Sequence, residues 1–221
     1  FKPSSGVEGD PVLWAEHGRK LPQRPVFTLD PLFHAGAYYV QDSSSMFVGH
    51  AFREMLSRIE IPEGRTVRVL DLCAAPGGKS TQIAGKLNGT GMLVSNEFYG
   101  SRAKILSQNI ERMGVRNAVV LNEDTGVLAD KFPEFFDKVM VDAPCSGEGM
   151  FRKDEVAINE WSSSQVIVCA ERQGMILDNA ARIVKPGGAM VYSTCTFSIE
   201  ENENAVKEFL ERNKDFRLCF P

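Results

Sequence analysis

Between residues 67 and 192 one rhythm recurs: a short apolar run, a loop carrying acids, glycines or hydroxyls, then a stretch with helical spacing. Apolar runs at 67–70, 92–95, 118–121, 139–141 and 189–192 read as strands. Helices are expected at 77–87, closed by Asn88-Gly89, and at 101–113, with Ile105, Ile110 and Met113 among its apolar positions and Gly114 at its end. A third runs over 162–184 and is stopped by Pro186-Gly187-Gly188. Short apolar strands separated by helices predict an α/β fold of the Rossmann-like kind, a mostly parallel open sheet with helices on both faces. Right-handed crossovers fix most of its topology, and such sheets bind ligands at the carboxyl ends of their strands.

The flanks are less regular. Residues 1–34 hold Pro3, Pro11, Pro22, Pro25 and Pro31 with little periodicity, and read as a lead-in. Asp42 and the serines at 43–45 precede Met46, Phe47, Ala51, Phe52, Met55 and Leu56, which predicts a capped helix over 43–58, ended by Pro62 and Gly64. A helix over 200–212 and a terminal strand over 216–220 leave too little sequence for a long final hairpin. Either the sheet is shorter than is usual or the chain stops inside it.

With 221 residues, 43% of them hydrophobic and 24% charged, the chain suits one soluble domain with a sizeable core. It has no run of 18 apolar residues and no pattern of a secretory signal, although it opens at Phe1 rather than Met. Five cysteines without CxxC spacing and three histidines (His17, His34 and His50) argue against a metal site or a disulfide framework, and a reducing cytoplasm fits better. The formal charge of −4 lacks the basic field of a stand-alone nucleic-acid binder. Charge is nevertheless uneven: Arg102, Lys104, Arg112 and Arg116 share one expected helix, and Arg152 and Lys153 follow a cysteine loop. These cations make either a solvated face or contacts to RNA phosphates.

The loop after the first strand, Asp71-Leu72-Cys73-Ala74-Ala75-Pro76-Gly77-Gly78-Lys79-Ser80, places two glycines at a strand-to-helix turn, where backbone can approach a ligand closely. It resembles a phosphate-binding G-x-x-x-x-G-K-[ST] loop, but Cys73 replaces the first glycine and Pro76 removes a backbone donor. A phosphate-loop ATPase is therefore the weakest reading. Glu97 follows the second strand, 20 residues after Gly77, where a carboxylate can accept from ribose hydroxyls. Asp124 follows the third strand, suited to an adenine amino group, and Asp142 follows the fourth. Acids at these ends tolerate the sulfonium of S-adenosylmethionine better than a pyrophosphate. Lys79 is either solvated or a charge partner of Asp71 or Asp142.

Two further strand ends carry thiols, Cys145 in Asp142-Ala143-Pro144-Cys145-Ser146-Gly147 and Cys195 in Ser193-Thr194-Cys195-Thr196. If their strands are neighbours, thiols 50 residues apart converge at one sheet edge. A thiolate adds to electron-poor carbon, so one cysteine can attack while the other assists release. Free cysteine is also often buried and inert. That reading suits Cys73, Cys169 and Cys219 better, because they lack a comparable polar setting.

Together with Asn96-Glu97 and Asn122-Glu123-Asp124, these segments resemble in order the motifs of the Sun and nucleolar-protein RNA (cytosine-5)-methyltransferases. Tyr38-Tyr39-Val40-Gln41-Asp42 and Ser101-Arg102-Ala103-Lys104-Ile105-Leu106 are similar to the bacterial branch of ribosomal small-subunit methyltransferase F-like proteins. The resemblance covers roughly residues 32 to 212. It departs at Thr196, where serine is common, and in the loop residues Gly100-Ser101 and Thr125-Gly126.

It implies a methyltransferase fold with S-adenosyl-L-methionine held by Cys73, Ala74, Ala75, Pro76, Gly77, Gly78, Lys79, Glu97, Asp124 and Asp142. Cys195 would be the nucleophile on cytosine C6, Cys145 the residue that helps detach product, directly or through water, and Asp142 a partner of cytosine N3. Phe151 or Tyr38 would pack near the base or in the core. The expected organisation is a lead-in and helix at 1–62 packed on a catalytic domain at 63–221. The implied partner is RNA, either ribosomal RNA in an assembling small subunit or transfer RNA, met by a cytoplasmic monomer without membrane contact. Methylation of an exocyclic nitrogen, or a silent RNA-binding assembly factor, are the competing readings.

Overall fold

The computed structural model describes residues 8–57, 64–153 and 155–219. By internal contacts the chain divides into two units, residues 1–122 and 123–221. In the first, strands β1 (Asp10–Val12) and β2 (Ala15–Lys20) form an antiparallel hairpin with Asp10 opposite Lys20. A Cβ on Gly18 would lie 2.8 Å from the Ala15 Cβ and 2.9 Å from the Met46 sulfur, so the hairpin packs closely against helix α2 (Ser43–Ser57), given that α1 is the one-turn helix Pro31–His34. The described part of the lead-in is therefore ordered structure. Its second strand, Ala-Glu-His-Gly-Arg-Lys, has no apolar alternation to betray it. Helix α2 agrees with the expected span; Arg58 and Pro62 lie outside the described residues. Tyr38 is buried among Phe27 and Phe33, with its hydroxyl donating to Asp30, so it is a core residue.

Three parallel strands follow: β3 (Arg68–Asp71), β4 (Met92–Asn96) and β5 (Ala118–Leu121). Leu70 pairs with Val94, which pairs with Val119. Helix α3 (Gly78–Leu87) joins the first two strands and α4 (Gly100–Arg112) the second and third. In α4 the buried positions are Ala103, Leu106 and Ile110, a helical spacing that packs Leu106 and Ile110 against Ala74 and Ala75 of the glycine loop. Ile105 is half exposed, so Leu106 carries the contact expected of its neighbour.

In the second unit, helix α5 (Thr125–Lys131) leads to β6 (Phe136–Asp142). After the short α6 (Glu155–Glu160), α7 (Ser163–Ile183) returns the chain to β7 (Val184–Ser193), which runs parallel to β6. The pairing goes from Phe136 opposite Val184 to Lys138 opposite Ala189, so Pro186-Gly187-Gly188 bulges inside the strand. A Cβ on Gly188 would meet the Asp137 carbonyl oxygen at 2.9 Å, which explains a glycine at the tight side of that bulge. The pairing then continues to Asp142 opposite Ser193, which brings the two cysteine loops out of adjacent strand ends. A π-helical turn (Glu200–Asn204) and α8 (Ala205–Arg212) follow. Residues 216–219 form no strand, contrary to expectation, and Phe220 lies outside the described residues. The described strands and helices make the expected α/β architecture, with parallel pairing throughout except in the hairpin. Among the described residues no helix is long and apolar enough to cross a membrane.

Candidate active site

In the first unit, the loop from β3 to α3 is held from several sides. The Ala74 N–H donates to Asn96 O at 2.8 Å and the Gly77 N–H to Ala74 O at 2.8 Å, closing a tight turn before α3. Gly77 has φ 112°, a conformation that favours glycine, and a Cβ there would press on Leu106 at 3.2 Å. Gly78 is equally confined, since its Cβ would lie 3.1 Å from the Tyr39 ring. Beneath the loop, fully buried Asp71 accepts from Ser80 Oγ at 2.6 Å, and Ser80 Oγ in turn accepts from Ser95 Oγ at 2.9 Å. Asp71 thus fixes the first turn of α3. Lys79 is half-buried on that helix.

Glu97 stands at the end of β4 and is 3% exposed. Its carboxylate accepts from the Tyr99 N–H at 3.0 Å and lies 3.6 Å from Arg102. A carboxylate has about four lone-pair sites, so two remain to accept from a diol. Arg102 also donates to the Ala75 carbonyl at 2.9 Å, and Asn109 donates to that of Pro76 at 2.8 Å, so α4 clamps the loop. Arg112 is similarly engaged, donating to Phe33 O at 2.8 Å and lying 4.1 Å from the Phe33 ring centre. Arg102 and Arg112 therefore serve the fold, Lys104 is exposed on the same helix, and Arg116, expected on it, lies beyond its end and is exposed.

In the second unit, Asp124 is exposed and caps α5, its side chain accepting from the Gly126 N–H at 2.8 Å. One oxygen has a structural task; the second gives the residue its acceptor capacity. Asp142, the last residue of β6, accepts from Ser193 Oγ at 2.7 Å.

The Cys145 and Cys195 sulfurs lie 3.1 Å apart as free thiols, and the Cys195 N–H points at the Cys145 sulfur at 3.3 Å. Cys195 is exposed and Cys145 half-buried. The hydrogen bond shared with Cys195, together with burial and the Cys195 charge, pushes the Cys145 thiol well above its ordinary range. The shift makes Cys145 the sulfur of the pair that favours its protonated form, and Cys195, the exposed one, is the sulfur open to a substrate. The pair is the arrangement expected of a nucleophile with an adjacent acid. By contrast Cys169 is buried on α7.

The two cysteine loops are laced together. The Gly149 N–H donates to the Cys195 carbonyl at 2.7 Å, and Glu148 accepts from the Phe197 N–H at 2.9 Å and Thr196 Oγ1 at 3.0 Å. Ser146 and Thr196, each directly after a cysteine, bring their hydroxyl oxygens within 3.0 Å. Ser146 also donates through both its N–H (3.0 Å) and its hydroxyl to Glu201, a fully buried carboxylate that accepts as well from Gln173 at 2.7 Å. Two hydroxyl protons thus serve the three contacts that link Glu201, Ser146, Thr196 and Glu148. With both acids ionised, only two of those contacts are hydrogen bonds at any moment.

Of the residues singled out from sequence, Cys145, Cys195 and Asp142 come together at adjacent strand ends of the second unit. Residues 73–79 and Glu97 come together in the first, with Asn96 O accepting from the Ala74 N–H. Phe151 packs edge-on against Trp161, with ring centres 6.2 Å apart. Sequence reasoning missed Arg102 as a loop clamp, Glu201, and Phe197, which is 84% exposed beside Cys195 on a backbone fixed by Glu148. An apolar residue two places after a candidate nucleophile was the available signal for Phe197.

Residues 60–220 match the family described as 16S rRNA methyltransferase RsmB/F. Ribosomal RNA small subunit methyltransferase F of Vibrio vulnificus is 48% identical over 168 residues, 76% of this chain and 34% of that protein. The chain spans 34% to 43% of the length of such curated relatives. Among solved structures, NSun6 from Pyrococcus horikoshii with SFG is 30% identical at a TM-score of 0.72, covering 86% of this chain and 46% of that one. A methyltransferase homologue from the same organism is 29% identical, also at 0.72, over 93% of this chain and 62% of that one. These likenesses place the fold among the Rossmann-like methyltransferases.

Proposed function

This chain belongs to the 16S rRNA methyltransferase RsmB/F family, and from that membership we propose that it is the catalytic region of an enzyme that methylates cytosine C5 in RNA. The observation that carries the reading is the pair of free thiols 3.1 Å apart, one half-buried and the other exposed. Methylation of an exocyclic nitrogen has no use for such a pair.

Cytosine C5 is too weak a nucleophile to accept a methyl group unaided. Attack of the Cys195 thiolate on C6 forms an S–C6 bond and moves electron density to C5. As that density builds, N3 takes up a proton from water, and Asp142, with one oxygen held by Ser193, is suited to accept from the N3–H so formed and thereby hold the base. The proton returns to water when the ring regains its aromatic form. S-adenosylmethionine supplies the electrophilic methyl group. The acidic donor set, confined glycine turn and two remaining acceptor sites of Glu97 fit its sulfonium and ribose. Residues 73–79 and Glu97 would hold it, with Asp124 and Asp142 as further contacts, and the structure of a relative with a bound analogue supports the assignment. For product to leave, the C5 proton passes to water, the C6–S bond breaks, and Cys195 departs as thiolate. Cys145, 3.1 Å from that sulfur, is placed to assist its departure by donating to it.

The relatives' names support small-subunit ribosomal RNA as substrate over transfer RNA. The catalytic domain would span 63–221 with 1–62 leading into it, acting as a monomer in the bacterial cytoplasm. A target within a helix has to leave its stack to reach the thiol. The test is methyl transfer from labelled S-adenosylmethionine to a small-subunit ribosomal RNA transcript. Replacing Cys195 with Ala should abolish transfer and leave cofactor binding intact; continued transfer would refute the reading.

A further inference from the structure

We propose that Glu201 is a positioning residue for the release step, acting through Ser146 on Cys145. The inference rests on the methyltransferase reading and assigns work to a buried acid that the chemistry above leaves unused. Glu201 has no exposed surface. A buried carboxylate is costly unless its oxygens are satisfied, and here the donors are the Ser146 N–H, the Ser146 hydroxyl and Gln173. Gln173, also fully buried, donates in addition to the Pro144 carbonyl at 3.0 Å. Glu201 and Gln173 therefore grip the residues on either side of Cys145.

The chain makes a local exception to deliver this acid. Residues 200–204 are π-helical, with the Asn204 N–H donating to Ile199 O at 2.9 Å, a bond spanning five residues. A widened turn rotates the side chains that precede it relative to a regular helix, and such turns are frequent at functional sites. Here Glu201 is buried while Glu200 is exposed. The Tyr192 hydroxyl fixes the Glu201 backbone by donating to its carbonyl at 2.6 Å.

The consequence is selective. The Cys195 loop has its own ties to Glu148 and Gly149, whereas the backbone around Cys145 is gripped by Glu201 and Gln173. Losing the Glu201 charge should therefore loosen Cys145 and leave the attacking sulfur in place. Attack on C6 and methyl transfer would proceed. Departure of Cys195 would slow, because the thiol that must donate to it is no longer held at 3.1 Å.

The experiment compares Glu201→Gln and Ser146→Ala with the unaltered protein, using labelled S-adenosylmethionine and a small-subunit ribosomal RNA transcript. Misplacement of a reacting group by about 1 Å costs roughly a hundredfold in rate. Both variants should lower kcat by about 10- to 100-fold with KM for RNA within about threefold, because the binding surface is untouched. Both should accumulate a covalent RNA–protein complex that survives denaturing electrophoresis, and the double variant should be no worse than the more damaged single one. Ser146→Ala keeps the buried acid and covers the case in which Glu201→Gln folds poorly. A fall in kcat without complex accumulation, or a lowered Tm with normal turnover in the cold, would show Glu201 to be structural and overturn the proposal. Absence of methyl transfer to the transcript by the unaltered protein would overturn the methyltransferase reading itself, and this assignment with it.

Discussion

Gly149 is the point at which the smallest chemical change should do the most specific damage. Its N–H donates to the Cys195 carbonyl at 2.7 Å, and a Cβ placed on it would lie 2.6 Å from that same oxygen. Contacts of this kind are essentially never shorter than 3.0 Å, so Gly149→Ala must push the two loops apart by at least 0.4 Å. Overpacking of this sort costs about 1–3 kcal/mol. If a 1 Å error costs roughly a hundredfold, 0.4 Å costs about sixfold, and a larger relaxation costs more. Single-turnover methyl transfer at saturating cofactor should therefore fall by about 5- to 100-fold, with S-adenosylmethionine affinity unchanged. Gly147→Ala is the control. Its φ of 79° makes any side chain strained, at about 1–2 kcal/mol, yet no atom lies within 4 Å of its Cβ position. It should lower Tm without a comparable loss of rate. Full activity in Gly149→Ala at an unchanged Tm would refute the claim that this bond sets the thiol geometry.

Arg102→Ala removes a donor from the Ala75 carbonyl and a cation from beside Glu97, and should weaken S-adenosylmethionine binding by about 10- to 100-fold in calorimetric titration. Unchanged affinity would mean that the loop holds its shape without the clamp. Phe197→Ala should raise KM for RNA by about 5- to 100-fold, the loss expected for one base stacked on an aromatic ring, with cofactor affinity intact; equal KM values would exclude stacking. Lys138 is fully buried on β6, and burial pushes its ammonium down to about 8 while the Asp137 charge opposes that shift. The folded protein then releases this proton near pH 8, whereas the unfolded chain keeps it to about pH 10.4. Stability should rise across that window by at most about 3 kcal/mol, relative to a Lys138→Met variant, in thermal melts from pH 7 to 10.5. A constant difference between the two proteins would contradict the assignment.

The candidate residues of each unit were legible in the sequence because they lie in loops that follow apolar strands. Asp71, the Gly77-Gly78 turn, Glu97, Asp142 and both thiols stand where strand ends place them. What escaped the reading depends on geometry that composition does not encode. The acidic run at 200–203 reads as a solvated helix face, and only a π turn buries Glu201 while Glu200 stays outside. Arg102 and Arg112 have the same charge as Lys104, and their engagement follows from which face of α4 meets the glycine loop and Phe33. Helix α5 is short and contains Gly126, although Asp124 before it was a capping signal. The strand expected over 189–192 starts at Val184 because β7 absorbs Pro186-Gly187-Gly188 as a bulge rather than treating it as a stop.

The central claim is that Cys195 bonds to the base while Cys145 remains a thiol, and it can be measured as a mass. RNA carrying 5-fluorocytosine at the target has no C5 proton to lose, so the adduct formed after methyl transfer cannot release the enzyme. Digestion and tandem mass spectrometry of the trapped complex should place the nucleotide, with its added methyl, on the peptide containing Cys195. The Cys145 peptide should remain open to alkylation. A nucleotide on Cys145, or methylated RNA formed with no adduct on either cysteine, would contradict the account.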